Sequence, residues 1–165
     1  MATTDGRASA GAVTAEQVDA IMLGVQALVG VAATSVAEVE DRVTLPQLRV
    51  LMLIASLGTM NLNALAQAMD IHPSNASRYC DRLMVGGLLR RTESSIDRRN
   101  LVLELTDEGR DLVAELIEHR RQAVRKVLEQ VPESRRRGLV SAMRTFGQVA
   151  GEVAAGEAWR LGWHG

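Results

Sequence analysis

Six arginines lie between His72 and Asn100: Arg78, Arg82, Arg90, Arg91, Arg98 and Arg99. Against them stand Asp81, Glu93 and Asp97, so this segment is net +3. Residues 1–43 are net −4, and residues 44–71 and 101–165 each balance, which gives −1 overall. A locally basic segment is an electrostatic footprint for phosphate. A solvated, charge-rich hairpin gives the same count, so side-chain placement has to separate the two. At helical spacing, Ala76, Cys80, Leu83 and Met84 share one face, and Ser74, Asn75, Ser77, Arg78 and Arg82 fall largely on the other. Short hydroxyls and amides reach base edges or phosphates, and arginine serves guanine or phosphate. An ordinary polar surface has the same composition. What favours nucleic acid is the run Asp97-Arg98-Arg99, where a turn lets an arginine project toward a narrow, negative minor groove.

Other chemistry is sparse. No Gly-rich phosphate loop and no G-x-S-x-G elbow occur, so no enzyme is expected. His72, His119 and His164 are scattered, and neither a metal site nor a cofactor is expected. Cys80 is the single cysteine, which excludes an internal disulfide framework. On an apolar helix face it reads as a small hydrophobe, and a redox role would need a second thiol from elsewhere. Arg135-Arg136-Arg137 reads as a solvated or acid-paired run. Trp159 and Trp163, four apart, read as packing residues. The seven methionines read as core filler, with Met22 and Met52 able to line an adaptable pocket. No apolar run nears 18 residues, so no membrane span is expected. Residues 1–13 lack the apolar core of a signal peptide, and a cytoplasmic location is expected.

These residues need elements to hold them. The 165 residues suit one domain. Thr14 and Gln17 form a capping box, followed by apolar residues at 18, 22, 25, 29, 32, 36 and 39. This predicts one helix to about Asp41, roughly 40 Å long, whose unbroken seam points to dimerisation. Thr44 and Gln47 repeat the box, with Pro46 in the first turn and Gly58 at the end. Asn61 caps a short helix. A tight turn at Asp70-Ile71-His72 then leads into Pro73 and a helix to Val85. Ala66 suits the point where those two helices touch, and Asp70 suits a turn position that requires φ > 0. The period then changes from 3.6 to 2. Leu88 to Glu93 and Asn100 to Leu105 read as strands, with Leu101, Leu103 and Leu105 on one face. Thr106 caps a long helix that Pro132 breaks, and a last helix carries Leu139, Met143, Phe146, Val149 and Val153.

Two helices joined by a tight turn and followed by a hairpin describe a winged helix-turn-helix. The sequence resembles the MarR family of winged helix-turn-helix transcriptional regulators. The resemblance rests on Asp81-Arg82-Leu83, Gly87-Leu88-Leu89, Asp97-Arg98-Arg99 and Leu105-Thr106-Asp107-Glu108-Gly109, in order and spacing, and covers roughly residues 14 to 155. It implies a homodimer built from the first and last helices. Ser74, Asn75, Ser77, Arg78 and Arg82 would take the recognition-helix positions, and Arg98 the wing tip in the minor groove. Asp97 and Arg99 would brace the wing, and Arg99 is counted among the DNA-binding residues as well. Asp70, in place of the usual turn glycine, and the His72-Pro73 start depart from the pattern.

The fold expected is mainly α with a small β-hairpin wing, a winged helix-turn-helix plus a helical dimerisation region. Its parts are an N-terminal tail at 1–13, a dimerisation helix at 14–43, the DNA-binding region at 44–105, and a long helix with a C-terminal dimerisation helix at 106–165. The function expected is a homodimeric repressor on a pseudo-palindromic site in double-stranded DNA. The resemblance adds release by a small amphipathic effector, phenolic in many members, bound between the two halves. The alternative is a winged-helix dimer acting as a protein-interaction adaptor or antirepressor without DNA binding.

Overall fold

The computed structural model describes residues 12–93 and 101–154, the last four by backbone alone. The elements are α1 (Ala15–Ala37), α2 (Leu45–Leu57), α3 (Leu62–Met69), α4 (Pro73–Val85), β1 (Leu89–Glu93), β2 (Leu101–Leu105), α5 (Asp107–Gln130) and α6 (Glu133–Ala154). This is the expected class: among the described residues, six helices and one two-stranded antiparallel sheet.

The helix starts follow the local capping chemistry. The Thr14 N–H donates to Gln17 Oε1 at 2.9 Å, and the Gln17 N–H donates to Thr14 Oγ1 at 3.2 Å. At α2 the Thr44 N–H and hydroxyl both donate to Gln47 Oε1 at 2.8 Å. Asn61 Oδ1 accepts from the Ala64 N–H at 2.8 Å, opening α3. Asp70 then takes the left-handed conformation, φ 55° and ψ 48°, the only non-glycine among the described residues with positive φ. The Ile71 N–H closes the turn onto the Ala66 carbonyl at 3.0 Å. Ala66 is buried there, where a larger side chain would hold α3 off α4.

α2 is the centre of the molecule. Leu48, Val50, Leu51, Met52, Leu53 and Ile54 are all buried, so its whole circumference is covered. Around it lie Leu65 and Met69 of α3, Cys80 and Leu83 of α4, Leu89, Leu103 and Leu105 of the sheet, and Leu112, Val113 and Leu116 of α5. The strands pair from Leu89↔Leu105 to Glu93↔Leu101, and the Leu103 N–H adds a bond to the Met60 carbonyl at 2.8 Å.

Three expectations need correction. α1 ends at Ala37, not near Asp41. Beyond it the Val39 N–H bonds the Val36 carbonyl and the Arg42 N–H bonds the Val39 carbonyl, both i→i−3 contacts. That tighter winding turns Val39 and Val43 into the core. Second, α1 is long and apolar enough to cross a membrane by length and composition, with mean hydropathy 1.9. Its 18 residues from Ala20 to Ala37 carry no charge, and the interspersed glycines, Gln26, Thr34 and Ser35 scarcely dilute that. Third, Leu101 does not share the fate of Leu103 and Leu105. It is 57% exposed, because it lies at the outer end of the hairpin, beyond the reach of α2. The arginine run is exposed, as expected, and one of its members also makes backbone contacts. Arg136 donates to the Val131 carbonyl at 2.9 Å and the Glu129 carbonyl at 3.1 Å, closing the end of α5.

Candidate nucleic-acid interface

The α4 helix splits into two faces, as its sequence period requires. Ala76, Cys80 and Leu83 are fully or almost fully buried, and Tyr79 packs half-buried against the same core. Ser74, Asn75, Arg78 and Arg82 are exposed. Ser74, Arg78 and Arg82 follow each other at i, i+4 and i+8, so they form one outward row. Ser77 sits half-buried at the margin of that row, and its hydroxyl reaches Asp81 Oδ2 at 3.4 Å. His72 caps the helix. Its Nδ1 accepts from the Ser74 N–H at 3.3 Å and lies 2.8 Å from Ser74 Oγ. Of the expected site residues, the structure therefore groups the five on α4. Asp97, Arg98 and Arg99 fall outside the described residues.

Two arginines of β1 lie outside that set, and one of them reaches α4. Arg90 donates through Nη2 to Glu104 Oε2 at 3.0 Å, directly across the hairpin, and its Nε reaches the same oxygen at 3.1 Å. Arg91 donates to Asp81 Oδ1 at 3.3 Å and so joins β1 to α4. The charge count included both. What it lacked was the strand register that puts Arg90 opposite Glu104, and the packing that brings Arg91 to α4.

The wing's root is fixed by close backbone approach. The Thr106 hydroxyl accepts from the Gly109 N–H at 3.0 Å and donates to the Gly87 carbonyl at 2.6 Å. The Thr106 N–H bonds the Leu88 carbonyl at 3.2 Å. A Cβ on Gly109 would lie 2.1 Å from that same carbonyl oxygen. The spacing Thr106-x-x-Gly109 is thus a packing requirement that ties α5 to the end of α4. Asp107 pairs with Arg110, whose hydrogen bond holds the Asp107 carboxyl below the usual carboxylate range. Burial pushes the Cys80 thiol up to about 11, with nearby Arg91 opposing and Asp81 adding to the shift.

A cleft of about 410 Å³ opens between α1, α2 and α5, walled by Val36, Leu48, Met52 and Leu116 among others. Arg49 and Arg120 also line it. The Arg49 Nε is buried with no hydrogen-bond partner, and burial lowers the Arg120 pKa. Met52 is thus a pocket residue, whereas Met22 is an exposed residue of α1 and does not line this cleft. Among the described residues, no three His, Cys, Asp or Glu side chains come together as a metal site.

The MarR family model matches residues 43–101, the stretch from the end of the α1–α2 turn to the start of β2. The crystal structure of RV1404 from Mycobacterium tuberculosis is similar over nearly the whole chain. It shares 34% identity across 86% of this chain and 97% of that one, with a TM-score of 0.73. The chain belongs to the MarR family. Two Bacillus subtilis proteins match over shorter stretches. The HTH-type transcriptional repressor MdtR is 39% identical over 67 residues, 41% of this chain and 43% of its own length. The uncharacterised HTH-type transcriptional regulator YfiV is 38% identical over 64 residues, 39% of this chain and 40% of its own length. These matches thus span about two fifths of those relatives. The MarR model covers the five α4 residues and the three outside the described structure alike, while α5 and α6 lie beyond it.

Proposed function

We propose that this MarR-family chain is a cytoplasmic, sequence-specific DNA-binding repressor that works as a homodimer. The observation that carries this is the outward row Ser74, Arg78 and Arg82 on α4, with Asn75 and Ser77 beside it and an apolar face beneath. Such a helix can enter the major groove and present donors and acceptors to base edges. Arg98, with Arg99 near it, would contact the adjacent minor groove, and Asp97 with Arg99 would brace the wing. Residues 44–105 would form the DNA-binding region, with residues 14–43 and 106–165 as the dimerisation region.

The dimer is supported by what the single chain leaves open. Val18, Ile21, Met22, Val25 and Val29 of α1 and Leu139, Met143, Phe146 and Val149 of α6 are exposed. Contiguous apolar faces of this kind mark association surfaces. A two-fold dimer places two α4 helices against a pseudo-palindromic site. The effector would bind in the α1–α2–α5 cleft, where aliphatic walls and Arg49 suit an amphipathic anion. It would relieve repression by favouring a lobe spacing different from the DNA-bound one.

The test is selection of duplexes from a random pool by the full chain, followed by titration across salt. Arg78→Ala is expected to cost about 1–3 kcal/mol on the selected duplex if it reads a base. An equal loss on random duplex would make Arg78 a phosphate clamp. A chain that selects no sequence would defeat the repressor reading and leave a protein-interaction adaptor or antirepressor.

A further inference from the structure

Asp81 is an acid on the helix proposed to face DNA, where a negative charge opposes binding. Its two oxygens are both engaged. Oδ2 accepts the Ser77 hydroxyl at 3.4 Å, and Oδ1 accepts Arg91 Nη2 at 3.3 Å. Ser77 belongs to the α4 residues expected at the interface, and Arg91 belongs to β1, the first strand of the wing. One carboxylate therefore links a reading residue to the strand that carries the second reading element. It also occupies Arg91, which would otherwise be a free cation beside the groove.

We propose that Asp81 is a positioning residue for DNA recognition, which sets the hairpin against α4 through Arg91 and orients the Ser77 hydroxyl. This rests on the proposed DNA binding. It gives a sign opposite to charge alone. Removing a negative charge near phosphate should tighten binding to every duplex. Removing a positioning contact should weaken the selected duplex relative to a random one, because phosphate contacts position the protein while base contacts specify. The pair is half-exposed, with side chains 40% and 55% accessible, so its effect on folding is small and its effect on geometry is what is read.

The experiment uses the full chain, a duplex selected from a random pool by the wild type, and a random duplex of equal length. Asp81→Asn is expected to lower the selected-to-random affinity ratio by about threefold to tenfold, with an unchanged melting temperature. Arg91→Gln is expected to lower it by a similar factor, and the double variant to be no worse than either single one. The exchange Asp81→Arg with Arg91→Asp should recover part of the ratio. If both affinities rise together in Asp81→Asn, or the double variant shows purely additive losses, the inference is overturned while DNA binding stands. If the wild type selects no duplex, the repressor reading fails and the inference with it. Should Asp81→Asn not fold, an unchanged ratio in Arg91→Gln is enough to overturn the proposal.

Discussion

α1 and α2 are both strongly apolar helices, yet they end in opposite environments. α2 is buried through its middle, with Leu51 and Leu53 wholly buried, while its ends at Leu45 and Leu57 are exposed. In α1 from Ala15 to Leu23 every residue is exposed, and Met22 keeps 50% of its surface. α6 resembles the outer part of α1: every residue from Glu133 to Val149 is exposed, including Phe146 at 45%. Hydrophobicity alone does not decide burial; the number of neighbours does. The region from α2 to the first turns of α5, with Val39 and Val43 of the preceding turn, forms one core, because short helices and a hairpin surround α2. The C-terminal half of α1 packs on α5, but among the described residues nothing covers Ala15–Leu23 of α1 or Glu133–Val149 of α6. The first region buries most of its apolar surface within the chain, and the second leaves the surface that the proposed dimer would cover.

The sharpest way to break the self-contained region is at its tightest contact. Gly109→Ala would place a methyl 2.1 Å from the Leu88 carbonyl oxygen, which no side-chain rotation can relieve. α5 must shift, and the Thr106 bonds to Gly87 and Leu88 must lengthen. We expect a loss of about 3 kcal/mol or more by urea denaturation, at the upper end of overpacking costs. A loss under about 0.5 kcal/mol would show that α5 is not anchored there.

The outer region should respond differently. Phe146→Asp puts a charge in the apolar face of α6, where the proposed partner would bury it. In sedimentation experiments the dimer is expected to dissociate at least about 100-fold more readily, equivalent to about 2.7 kcal/mol. Far-UV circular dichroism of the separated chain should change little, since Phe146 touches no part of the α2-centred core. An unchanged dimer would move the interface away from α6. A wild type that is monomeric at micromolar concentration would remove the comparison's second half.

What the sequence revealed follows from how local each device is. The Thr14–Gln17 and Thr44–Gln47 caps, the left-handed Asp70 and the two strands depend on a few consecutive residues, and they stand where expected. The outward row on α4 was legible for the same reason, since a 3.6 period needs only its own helix. The end of α1 was not, because Val39 and Val43 are drawn inward by α2 and α5 rather than by their neighbours in sequence. The Arg90–Glu104 and Arg91–Asp81 pairs depend on register and on packing between elements, which no spacing within one element encodes. The Arg136 bonds to α5 carbonyls required knowing how α6 starts against the end of α5. Asp97, Arg98 and Arg99, singled out from the hairpin turn and given roles by the family pattern, lie outside the described residues.

Cys80 offers the gentlest probe of the same contrast. Its thiol is fully buried against α2, and burial raises its pKa from the ordinary value near 9.0 to about 11. The thiolate is the nucleophile, so at pH 8 only about one native thiol in a thousand is in the reactive form, before access is considered. Alkylation by iodoacetamide is expected to be slower than in urea by at least about 100-fold. Above pH 9 the unfolded chain loses this proton more readily than the folded one. Cys80 therefore supports the fold below about pH 9, and that support declines as pH rises through about 11. Cys80→Ala should flatten this part of the stability curve. A Val149→Cys variant carries the matching thiol on α6, at a site exposed in the single chain. It should label quickly in the Phe146→Asp background and slowly in the assembled dimer. Equal rates in both would mean that no second copy covers α6 near Val149. Rapid native labelling at Cys80 would mean that the α2-centred region opens as readily as the outer helices.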